Sequence, residues 1–476
     1  MNEIKIGKPQ DTHLFTVNNL KYLLDVPSGS LHQLDDAAYE ILRRILALGR
    51  ESVLKEELKG AFNDLDQELV TEIVNELVEL QAKGQLFSPD EALTNLPKLP
   101  TGLKALCLNL AHDCNLACQY CFASQGDFGG QRLLMPYEVG VKAIDLLIEN
   151  SAKRRHLEID FFGGEPLLNY EVLKDLVAYI RKREKETAKI FTLTVTTNGT
   201  LLDDDKIAWL NENDILLVLS LDGRERIQNQ MRPTRDGRPT YKKTVELIKK
   251  VIDSREGEGY YVRGTYTREN MDFAADVLHM LKLGFRHVSI EPVVTKNEKF
   301  ALIKEDLPRI FGEYERLAQA YLDAYRSGKP FDFFHFSVNL LKGPCIAKRL
   351  SGCGAGVEYI AITPEGDIYP CHQFVGNKEY ILGNVLKKGI VKSDIVNQFD
   401  KAHIYNKEDC RKCWARFFCS GGCHANAFSF NGDIMKPHNF SCELQRKRIE
   451  CSLYIQSQIH CFDLSQEALC QRRSSN

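Results

Sequence analysis

The chain of 476 residues has no apolar run close to the ~20 residues of a membrane-spanning helix, and its first ten residues, MNEIKIGKPQ, lack the apolar core of a signal peptide. It also lacks an excess of charge of either sign, because 62 basic side chains stand against 65 acidic ones. This ordinary composition excludes a long disordered chain, a collagen-like chain and a histone-like chain. We expect a cytoplasmic globular protein of about two to four domains without a membrane partner.

Cysteine is missing from the first 106 residues and again between Cys121 and Cys345. The 15 cysteines therefore form two groups, one at 107–121 and one at 345–470. An odd number of cysteines in a chain without an export signal speaks against a disulfide framework. Close spacings in a reducing compartment indicate metal or iron–sulfur ligation instead of free thiols.

The first 92 residues predict a small α+β domain. Two apolar runs flank Asn18-Asn19, a pair typical of hairpin turns, and a third run follows. Apolar residues then recur at helical spacing, with Ser52 and Asp66 as N-caps. The predicted strands are 13–17, 21–26 and 30–34, and the predicted helices are 36–47, 51–62 and 66–83. The first 100 residues hold 17 acidic and 10 basic side chains, so we expect no nucleic-acid partner.

A proline-containing linker at 93–102 leads into a segment, 103–305, in which strand-like runs alternate with helical stretches. Six successive β-α units predict a parallel sheet, either open or curled into a partial barrel, with its chemistry in the loops after the strands. The predicted strands are 106–111, 158–162, 191–197, 216–221, 261–267 and 288–293. We expect bridging helices at 306–343, then a cysteine-rich domain at 344–450 that bound metal organises in place of an apolar core, and a helical tail at 451–476.

The first cysteine motif is Cys114-x3-Cys118-x2-Cys121. Three thiolates on one tight loop can bind three irons of a [4Fe–4S] cluster and leave the fourth iron open. A structural zinc ion would need a fourth ligand, for which Cys107 and His112 are available. The spacing favours the iron–sulfur cluster but leaves both metals open.

With Tyr120 before its last cysteine, the motif resembles the signature of the radical S-adenosylmethionine (SAM) enzymes, whose fold is a partial (β/α)6 barrel. The resemblance implies that the open iron binds the amino and carboxylate groups of SAM. Reductive cleavage of SAM would then yield a 5′-deoxyadenosyl radical that abstracts hydrogen. The implied cofactor-binding residues lie on later loops and are Gly163, Gly164, Glu165, Asn198, Ser220 and Arg232.

Several of these residues have both a physical reason to bind SAM and an ordinary structural alternative. Gly163 and Gly164 would let backbone carbonyls approach an ammonium group beside the charge of Glu165, but a glycine pair also makes a plain turn. The guanidinium of Arg232 can donate two parallel bonds to a carboxylate, but it could equally be a solvated loop charge. Ser220 could hold the ribose or only a neighbouring strand group.

The second cysteine motif is C-terminal, and its seven cysteines resemble the SPASM motif, the auxiliary-cluster domain of radical enzymes that modify peptides. The resemblance implies two auxiliary [4Fe–4S] clusters, so that the chain would hold three clusters in all. A zinc ribbon is the alternative, because Cys-x2-Cys pairs occur there too. The implied ligands are Cys410, Cys413, Cys419 and Cys442 for an outer cluster, and Cys353, Cys371 and Cys423 for an inner cluster.

The inner cluster is then one ligand short. Cys345, eight residues before Cys353, is the natural fourth ligand; without it, an open iron could accept a substrate thiolate. His372 directly follows Cys371, where related sulfatase maturases carry an acid, so it is a candidate base whose alternative role is packing against the cluster. The remaining cysteines are expected to be buried or surface thiols: Cys107, Cys451, Cys461 and Cys470.

The N-terminal domain resembles the winged-helix-like peptide-recognition element of ribosomal-peptide biosynthesis, in which a leader peptide adds a strand to the edge at 30–34, beside the helix 66–83. The three parts together resemble thioether-forming peptide maturases, in particular the SCIFF (six cysteines in forty-five residues) group. The implied reaction joins a cysteine sulfur to a carbon of another residue such as threonine, and an auxiliary cluster takes up the last electron.

The resemblance also implies two partners, a small cysteine-rich precursor peptide bound through its leader and a low-potential electron donor such as flavodoxin or ferredoxin. Three alternatives stay open: sulfatase-type formylglycine formation, peptide epimerisation, and a zinc-bound interaction module without catalysis.

Overall fold

The structure is a computed structural model that describes residues 3–62, 64–90, 102–337 and 350–474. Its N-terminal part contains two antiparallel sheets and three helices. Those strands are β1 (Glu3–Lys5), β2 (Thr12–Val17), β3 (Leu20–Asp25), β4 (Leu31–Leu34) and β5 (Ser52–Leu54), and those helices are α1 (Asp36–Ala47), α2 (Lys55–Ala61) and α3 (Gln67–Ala82). Strands β2, β3 and β4 form one sheet in that order, and β1 pairs with β5 in the other.

Local sequence explains most of this part. Asn18 and Asn19 both have positive φ, at 47° and 64°, so the predicted hairpin turn between β2 and β3 is confirmed. The Asp66 side chain accepts amide hydrogen bonds at the start of α3, and the Asp35 side chain does the same for α1. Each cap satisfies backbone N–H groups that have no partner within the helix.

The predicted helix at 51–62 is wrong in its first residues, and Ser52 is not its cap. Ser52 begins β5, which pairs with β1, and Val53 and Ile4 of these two strands are buried in the N-terminal core. The helix α2 therefore starts only at Lys55. The partner of β5 lies about 50 residues away in sequence, so a local pattern could not reveal it.

Six parallel strands form the centre of the molecule, and each lies beside the strand that precedes it in the chain. Because this order returns the connecting helices over one face, the sheet curls towards a barrel. The strands are β6 (Ala105–Ala111), β7 (His156–Gly163), β8 (Ile190–Thr197), β9 (Leu216–Ser220), β10 (Tyr260–Tyr266) and β11 (His287–Pro292), and the helices are α4 (Tyr137–Asn150), α5 (Tyr170–Thr187), α6 (Asp204–Glu212), α7 (Glu225–Met231), α8 (Tyr241–Asp253) and α9 (Phe273–Lys282). All six predicted strands are confirmed.

The face of this sheet away from the helices is polar and encloses a space. On β8, Phe191 and Leu193 are buried in the core, whereas the alternate residues are threonines. The guanidinium of Arg263 on β10 acts on the carboxyl of Asp160 on β7, three strands away. The six parallel strands in this order, with their connecting helices over one face, confirm the expected partial barrel. We call the space bordered by Asp160 and Arg263 the barrel interior.

The C-terminal part extends the same sheet to eleven strands. Strand β13 pairs in parallel with β6, strands β14 to β16 continue antiparallel, and β12 flanks β11. The elements are α10 (Leu307–Arg326), β12 (Asp332–Phe333), β13 (Tyr359–Ile362), β14 (Asp367–Tyr369), β15 (Gly383–Asn384), β16 (Gly389–Ile390), α11 (Ser393–Lys401), α12 (Glu408–Arg411), α13 (Arg416–Cys419), α14 (His424–Asn431) and α15 (Asn439–Ser474). Helix α15 runs unbroken through 450 and 451, where the sequence suggested a boundary.

The expectation that the cysteine-rich region has little apolar core is wrong. Phe374 packs on Tyr380 with ring centroids 4.5 Å apart, and Tyr380 packs on Phe428 at 4.9 Å. Phe399 closes the same aromatic group, which joins the main core. These rings come from short helices and from loops, where neither helical nor strand periodicity reveals a buried side chain.

The N-terminal sheet lies between two cores and is tied to the C-terminal part. Leu23 of β3 faces the N-terminal helices, whereas its neighbour Tyr22 packs into the main core. Arg416, whose side chain is 1% exposed, forms ion pairs with Asp11 and Asp90. Within the described parts of the chain, no helix is both long enough and apolar enough to cross a membrane.

Candidate functional site

The loop that carries the first cysteine motif follows β6 and is held by close backbone contacts. A Cβ atom on Gly163 would lie 2.4 Å from the carbonyl oxygen of Ala111, and one on Gly164 would lie 2.1 Å from that of Asp113. Neither position can therefore carry a side chain. The amides of Gly164 and Glu165 donate to the same two carbonyls at 2.8 Å. These contacts place the start of the cysteine loop, and the contact of the glycines with SAM stays a prediction.

Glu165 is fully buried, and both of its carboxylate oxygens have partners. Oε1 accepts a hydrogen bond from the Thr197 hydroxyl at 2.7 Å, and Oε2 accepts one from the Asn198 amide at 2.9 Å. Burial raises the pKa of Glu165 to about 7. The observed role of Glu165 is thus to join the loops after β7 and β8, and its contact with the amino group of SAM stays a prediction.

Asn198 is brought beside the first cysteine. Its Nδ2 donates to Oδ1 of Asn115 at 2.9 Å and lies 3.8 Å from the sulfur of Cys114. Ser220 ends β9, in register with Arg263 of β10, and its hydroxyl bonds to no residue that the structure describes. Both side chains therefore border the barrel, at the ends of the strands where the sequence placed the chemistry.

Arg232 is predicted to bind the SAM carboxylate, and in the structure it pairs with a carboxylate of the chain itself. Its Nε donates to Asp222 at 3.0 Å, and its guanidinium lies 5.5 Å from the ring centroid of Tyr120. Asp222 is fully buried and also accepts the Tyr120 hydroxyl at 2.8 Å. Arg232 faces the Cys118 thiol as well. The Asp222 contacts were missed in the sequence, although Ser-Leu-Asp-Gly after a strand was an available signal.

The three thiols of this loop lie near one another in a buried setting. Burial raises the pKa of Cys114 to about 12 and that of Cys118 to about 11, and the charge of Cys121 acts on both. Such thiols stay protonated near neutral pH and ionise when a metal cation binds them. The Leu116 amide also donates to the Cys114 sulfur at 3.4 Å. Neighbouring thiols with an amide donor fit an iron–sulfur cluster.

Four C-terminal thiols form a second group, which we call the outer thiols: Cys410, Cys413, Cys419 and Cys442. They line one cavity and act electrostatically on one another. Burial raises the pKa of Cys419. The hydrogen bonds that its sulfur accepts from the amides of Gly421 and Gly422 act in the opposite direction and lower this pKa. Ser420 and these two glycines all have positive φ, which turns their N–H groups towards the sulfur.

Three further thiols form a third group, the inner thiols: Cys353, Cys371 and Cys423. Cys371 is acted on by the charges of the other two. Its sulfur accepts the amides of Gln373 and Phe374, and the sulfur of Cys423 accepts two amides from the first turn of α14. The sets expected for an outer and an inner cluster are thus brought together as two separate groups. Cys345 lies outside the described residues, so its role as fourth ligand stays a prediction.

The thiols of each group are spread out. Among residues that the structure describes, no three Cys, His, Asp or Glu side chains converge as they would around a single metal ion. A [4Fe–4S] cluster holds its thiolates further apart, because each thiolate binds a different iron. A single tetrahedral zinc draws its ligands to one point. The donor sets therefore fit clusters better than zinc.

Lys407 lies between the outer and the inner thiols and was not anticipated from the sequence. Its side chain is buried, and Nζ donates to the Gly421 carbonyl at 3.0 Å. Thiols of both groups act on it, among them Cys419 and Cys423. A buried ammonium between two sets of thiolates offsets the negative charge that clusters would bring.

His372 borders the barrel interior. Its Nδ1 is hydrogen-bonded to the Tyr359 hydroxyl at 3.0 Å, and its ring centroid lies 5.0 Å from that of Phe162 and 5.8 Å from that of Phe122. Burial, assisted by the charge of Arg263, lowers the pKa of His372 to about 4. The imidazole therefore favours the neutral form at pH 7, and both roles named for His372, a base or packing against the cluster, stay predictions.

Two further interior residues lie within strands. Asp160 was missed in the sequence, whereas Cys107 was expected to be a buried or surface thiol and is buried. Burial raises the pKa of Asp160 on β7 to about 7. The thiol of Cys107 on β6 is fully buried, bonds to the Tyr359 hydroxyl and faces Cys371. A charged residue in the middle of a predicted buried strand was the available signal for Asp160.

Two family models match the chain. The model of the Radical SAM superfamily matches residues 108–278, and the SPASM model, described as an iron–sulfur cluster-binding domain, matches residues 353–414. The first match spans β6 to α9, including the Cys114 loop. The second spans β13 to α12 and contains four of the seven motif cysteines, Cys353, Cys371, Cys410 and Cys413.

Curated relatives of this chain match most of its length. It is 22% identical over 468 residues to the radical SAM cyclopropyl synthase TigE of Paramaledivibacter caminithermalis, covering 92% of this chain and 93% of TigE. It is 27% identical over 337 residues to a cysteine-type anaerobic sulfatase-maturating enzyme of Clostridium perfringens, covering 65% and 85%.

Solved structures share the fold. Native anSMEcpe with bound AdoMet superposes with a TM-score of 0.63 at 20% identity and covers 75% of this chain and 98% of its own. Streptococcus suis SuiB bound to S-adenosylmethionine superposes with a TM-score of 0.51 at 17% identity and covers 90% and 97%.

Proposed function

Because the chain carries a radical SAM domain and a SPASM domain, we propose that it modifies a ribosomally made peptide by radical chemistry. The specific reaction that we propose is a thioether cross-link between a cysteine sulfur and a carbon of a second residue. The substrate would be a small cysteine-rich precursor peptide, and three [4Fe–4S] clusters and SAM would be the cofactors.

One observation carries this proposal: two thiol groups border the same space. Phe122 directly follows Cys121 of the first motif, and His372 directly follows Cys371 of the inner thiols. The rings of Phe122 and His372 lie 5.8 Å apart. A peptide side chain in the barrel interior would therefore be within reach of both groups, as a reaction that begins with hydrogen abstraction and ends with electron removal requires.

The atom balance defines what the residues must do. Forming a C–S bond from a C–H and an S–H bond removes one hydrogen atom, one proton and one electron. When bound at the first motif, a cluster and SAM would supply the radical that takes the hydrogen atom. An auxiliary cluster held by the inner or the outer thiols would accept the electron. Asp160 is the interior group that we propose to take the proton, because its pKa of about 7 suits a general base at neutral pH.

Peptide recognition would use the N-terminal sheet. Strand β4 is at the edge of the order β2-β3-β4, and among the described residues no strand pairs with its outer side. His32 of β4 is hydrogen-bonded to the Gln85 carbonyl, just after α3, at 2.9 Å. A leader that adds a strand at β4 would gain main-chain hydrogen bonds, with side-chain pockets for specificity. A structural neighbour, native anSMEcpe, has AdoMet and the Cp18Cys peptide bound.

A second candidate reaction is cyclopropane formation, because the match to the cyclopropyl synthase TigE extends over 92% of this chain. Formylglycine formation is supported only over the shorter match to the sulfatase-maturating enzymes. These reactions leave different marks on the peptide, so one experiment separates them.

The test is anaerobic incubation of the reconstituted protein with SAM, a strong reductant and the cysteine-rich peptide encoded nearest to its gene, followed by thiol alkylation and mass spectrometry. We expect a loss of two hydrogens per bridge and one cysteine per bridge that refuses the alkylating agent. Loss of two hydrogens with every cysteine alkylated would instead identify a cyclopropane. An aldehyde in place of a cysteine would identify formylglycine.

An unchanged mass with deuterium uptake from heavy water would identify an epimerase and contradict bridge formation. A variant with Cys114, Cys118 and Cys121 all replaced by alanine should lose SAM cleavage and peptide modification together. Cys461→Ala is the matched control, because Cys461 is an exposed thiol on α15. Counting iron in Cys345→Ala tests the fourth ligand of the inner cluster.

A further inference from the structure

Arg263 occupies the centre of the barrel interior. It lies on β10, in register with Ser220 of β9 and Ser289 of β11. Val262 beside it points into the main core, so the alternation of the strand directs Arg263 to the interior side. Its charge acts on Asp160 across the barrel and on His372.

The guanidinium of Arg263 has few partners. Its side chain is 49% exposed, and its one ion pair within the described part of the chain is a loose contact of 3.9 Å with Glu291. It donates no hydrogen bond to any residue that the structure describes. Arg232, by contrast, is held by a buried carboxylate at 3.0 Å. Arg263 therefore has donors available for a ligand.

Glu291 does not neutralise Arg263, because its carboxylate is in closer contact with two other side chains. It pairs with His335 at 3.1 Å and with Arg448 at 3.5 Å. Burial lowers the pKa of His335, so this imidazole favours the neutral form.

The remaining interior carboxyl is that of Asp160, and burial raises its pKa to about 7, so it is only partly ionised at neutral pH. Arg263 and Arg448 thus face one full negative charge, that of Glu291. The barrel interior carries an excess of positive charge.

We propose that Arg263 binds a carboxylate of the peptide substrate and thereby positions the residue to be modified; the proposal rests on the proposed function. A guanidinium matches a carboxylate with two parallel hydrogen bonds. The carboxylate can come from an aspartate or glutamate near the modified residue or from the C-terminus of the peptide.

The experiment is a double-mutant cycle between enzyme and peptide. Arg263→Gln and Arg263→Lys are compared with the wild type, and Arg316→Gln is the control because Arg316 is an exposed arginine of α10 paired with Glu313. The labelled precursor peptide is used in its natural form, with each Asp or Glu changed singly to Asn or Gln, and with an amidated C-terminus. Binding is measured by fluorescence anisotropy without reductant, and kcat/KM is measured with it.

We expect Arg263→Gln to lower kcat/KM by about 10- to 100-fold, as for a lost hydrogen bond to a charged group. Neutralising the carboxylate that Arg263 binds should lower kcat/KM of the wild-type enzyme by the same factor. The same peptide change should have no further effect on kcat/KM of Arg263→Gln. Neutralisation of one side chain identifies an internal residue, and amidation identifies the C-terminus. Arg263→Lys should retain part of the binding.

Equal effects of every peptide change in the wild type and in Arg263→Gln would overturn the proposal. So would a loss of SAM affinity in Arg263→Gln, which would assign the guanidinium to the cofactor. A wild-type protein that cleaves SAM but leaves the peptide unmodified contradicts the proposed function, and the anisotropy measurements then still decide whether Arg263 prefers a carboxylate.

Discussion

The two regions that carry thiols are built in different ways. The Cys114 loop is placed by the backbone, because Gly163 and Gly164 pack directly on the carbonyls at its start. The C-terminal region holds its thiols on short elements, among them the four-residue helices α12 and α13. The groups that fix it are buried side chains such as Lys407 and Arg416.

The two regions differ because their backbone N–H and C=O groups find hydrogen-bond partners in different places. Strands β6 and β7 pair as far as Ala111 and Gly163, with one register shift between Asn109 and Ala111, and these paired ends lead into the Cys114 loop and the Gly164 turn. A helix of four residues leaves its terminal N–H and C=O groups without partners inside the helix. The C-terminal region must therefore find partners elsewhere, including the cysteine sulfurs. We therefore predict that the barrel loop keeps its conformation without metal, whereas the C-terminal thiol region loosens without it.

The largest expected effect is that of metal removal. Chelation of iron should leave the barrel strands protected from hydrogen exchange and lower the protection of 404–423 by about 10³-fold, because metal binding contributes directly to folding there. Hydrogen exchange with mass spectrometry measures both regions in one sample. Restoring iron and sulfide should restore protection. Equal loss in both regions would contradict the comparison.

Glu165 should make the barrel sensitive to pH. Burial holds the pKa of Glu165 at about 7, above its ordinary value of 4.5, so the folded protein retains a proton that the unfolded chain releases. Stability should therefore fall by up to about 3 kcal/mol as the pH rises from about 4.5 to about 7. Glu165→Gln should remove this dependence.

The measurement for Glu165 is the urea midpoint followed by Trp209 of α6, with Trp414→Phe in every protein so that one tryptophan remains. Glu171→Gln is the control, because Glu171 is an exposed glutamate of α5. An unchanged slope in Glu165→Gln would show that another group titrates in this window.

Gly164→Ala should damage only the barrel loop. The added Cβ would lie 2.1 Å from the Asp113 carbonyl oxygen, so the backbone must shift at a cost of about 2 kcal/mol. We expect less iron in the first cluster and slower SAM cleavage, with the C-terminal iron unchanged. Gly312→Ala is the control, because a Cβ there meets nothing within 4 Å. Full iron content in Gly164→Ala would remove the case for a preorganised loop.

Lys407→Met should have the smallest effect on stability, about 1 kcal/mol, since it leaves the Gly421 carbonyl without its donor. Loss of the buried positive charge should lower the reduction potentials of the C-terminal clusters and leave that of the barrel cluster unchanged. Potentiometric titration followed by electron paramagnetic resonance measures all of them. Lys412→Met is the control, because Lys412 is an exposed lysine paired with Glu408. An equal shift in the reduction potentials of all the clusters would show that the charge of Lys407 does not act specifically on the C-terminal clusters.

The features that the sequence predicted correctly are those set by residues close together in the chain. Strand alternation located all six barrel strands, and Asn18-Asn19 located a turn. The failure at 51–62 had a distant cause, because β5 pairs with β1. The aromatic group of Phe374 and Phe399 was missed for the same reason, since its members are 25 residues apart and lie on elements too short to show a period.

The sequence by itself determined the six barrel strands and the division of the cysteines, because alternation and spacing are properties of neighbours along the chain. Only the tertiary structure decided which charged side chains are paired within the protein and which are open to a ligand. It joins Tyr120 to Asp222 over 102 positions, holds Arg232 there and leaves Arg263 open in the barrel interior. Both arginines have the same chemistry. They differ because folding places the buried carboxylate of Asp222 3.0 Å from Arg232 and leaves Arg263 only a loose contact of 3.9 Å with Glu291.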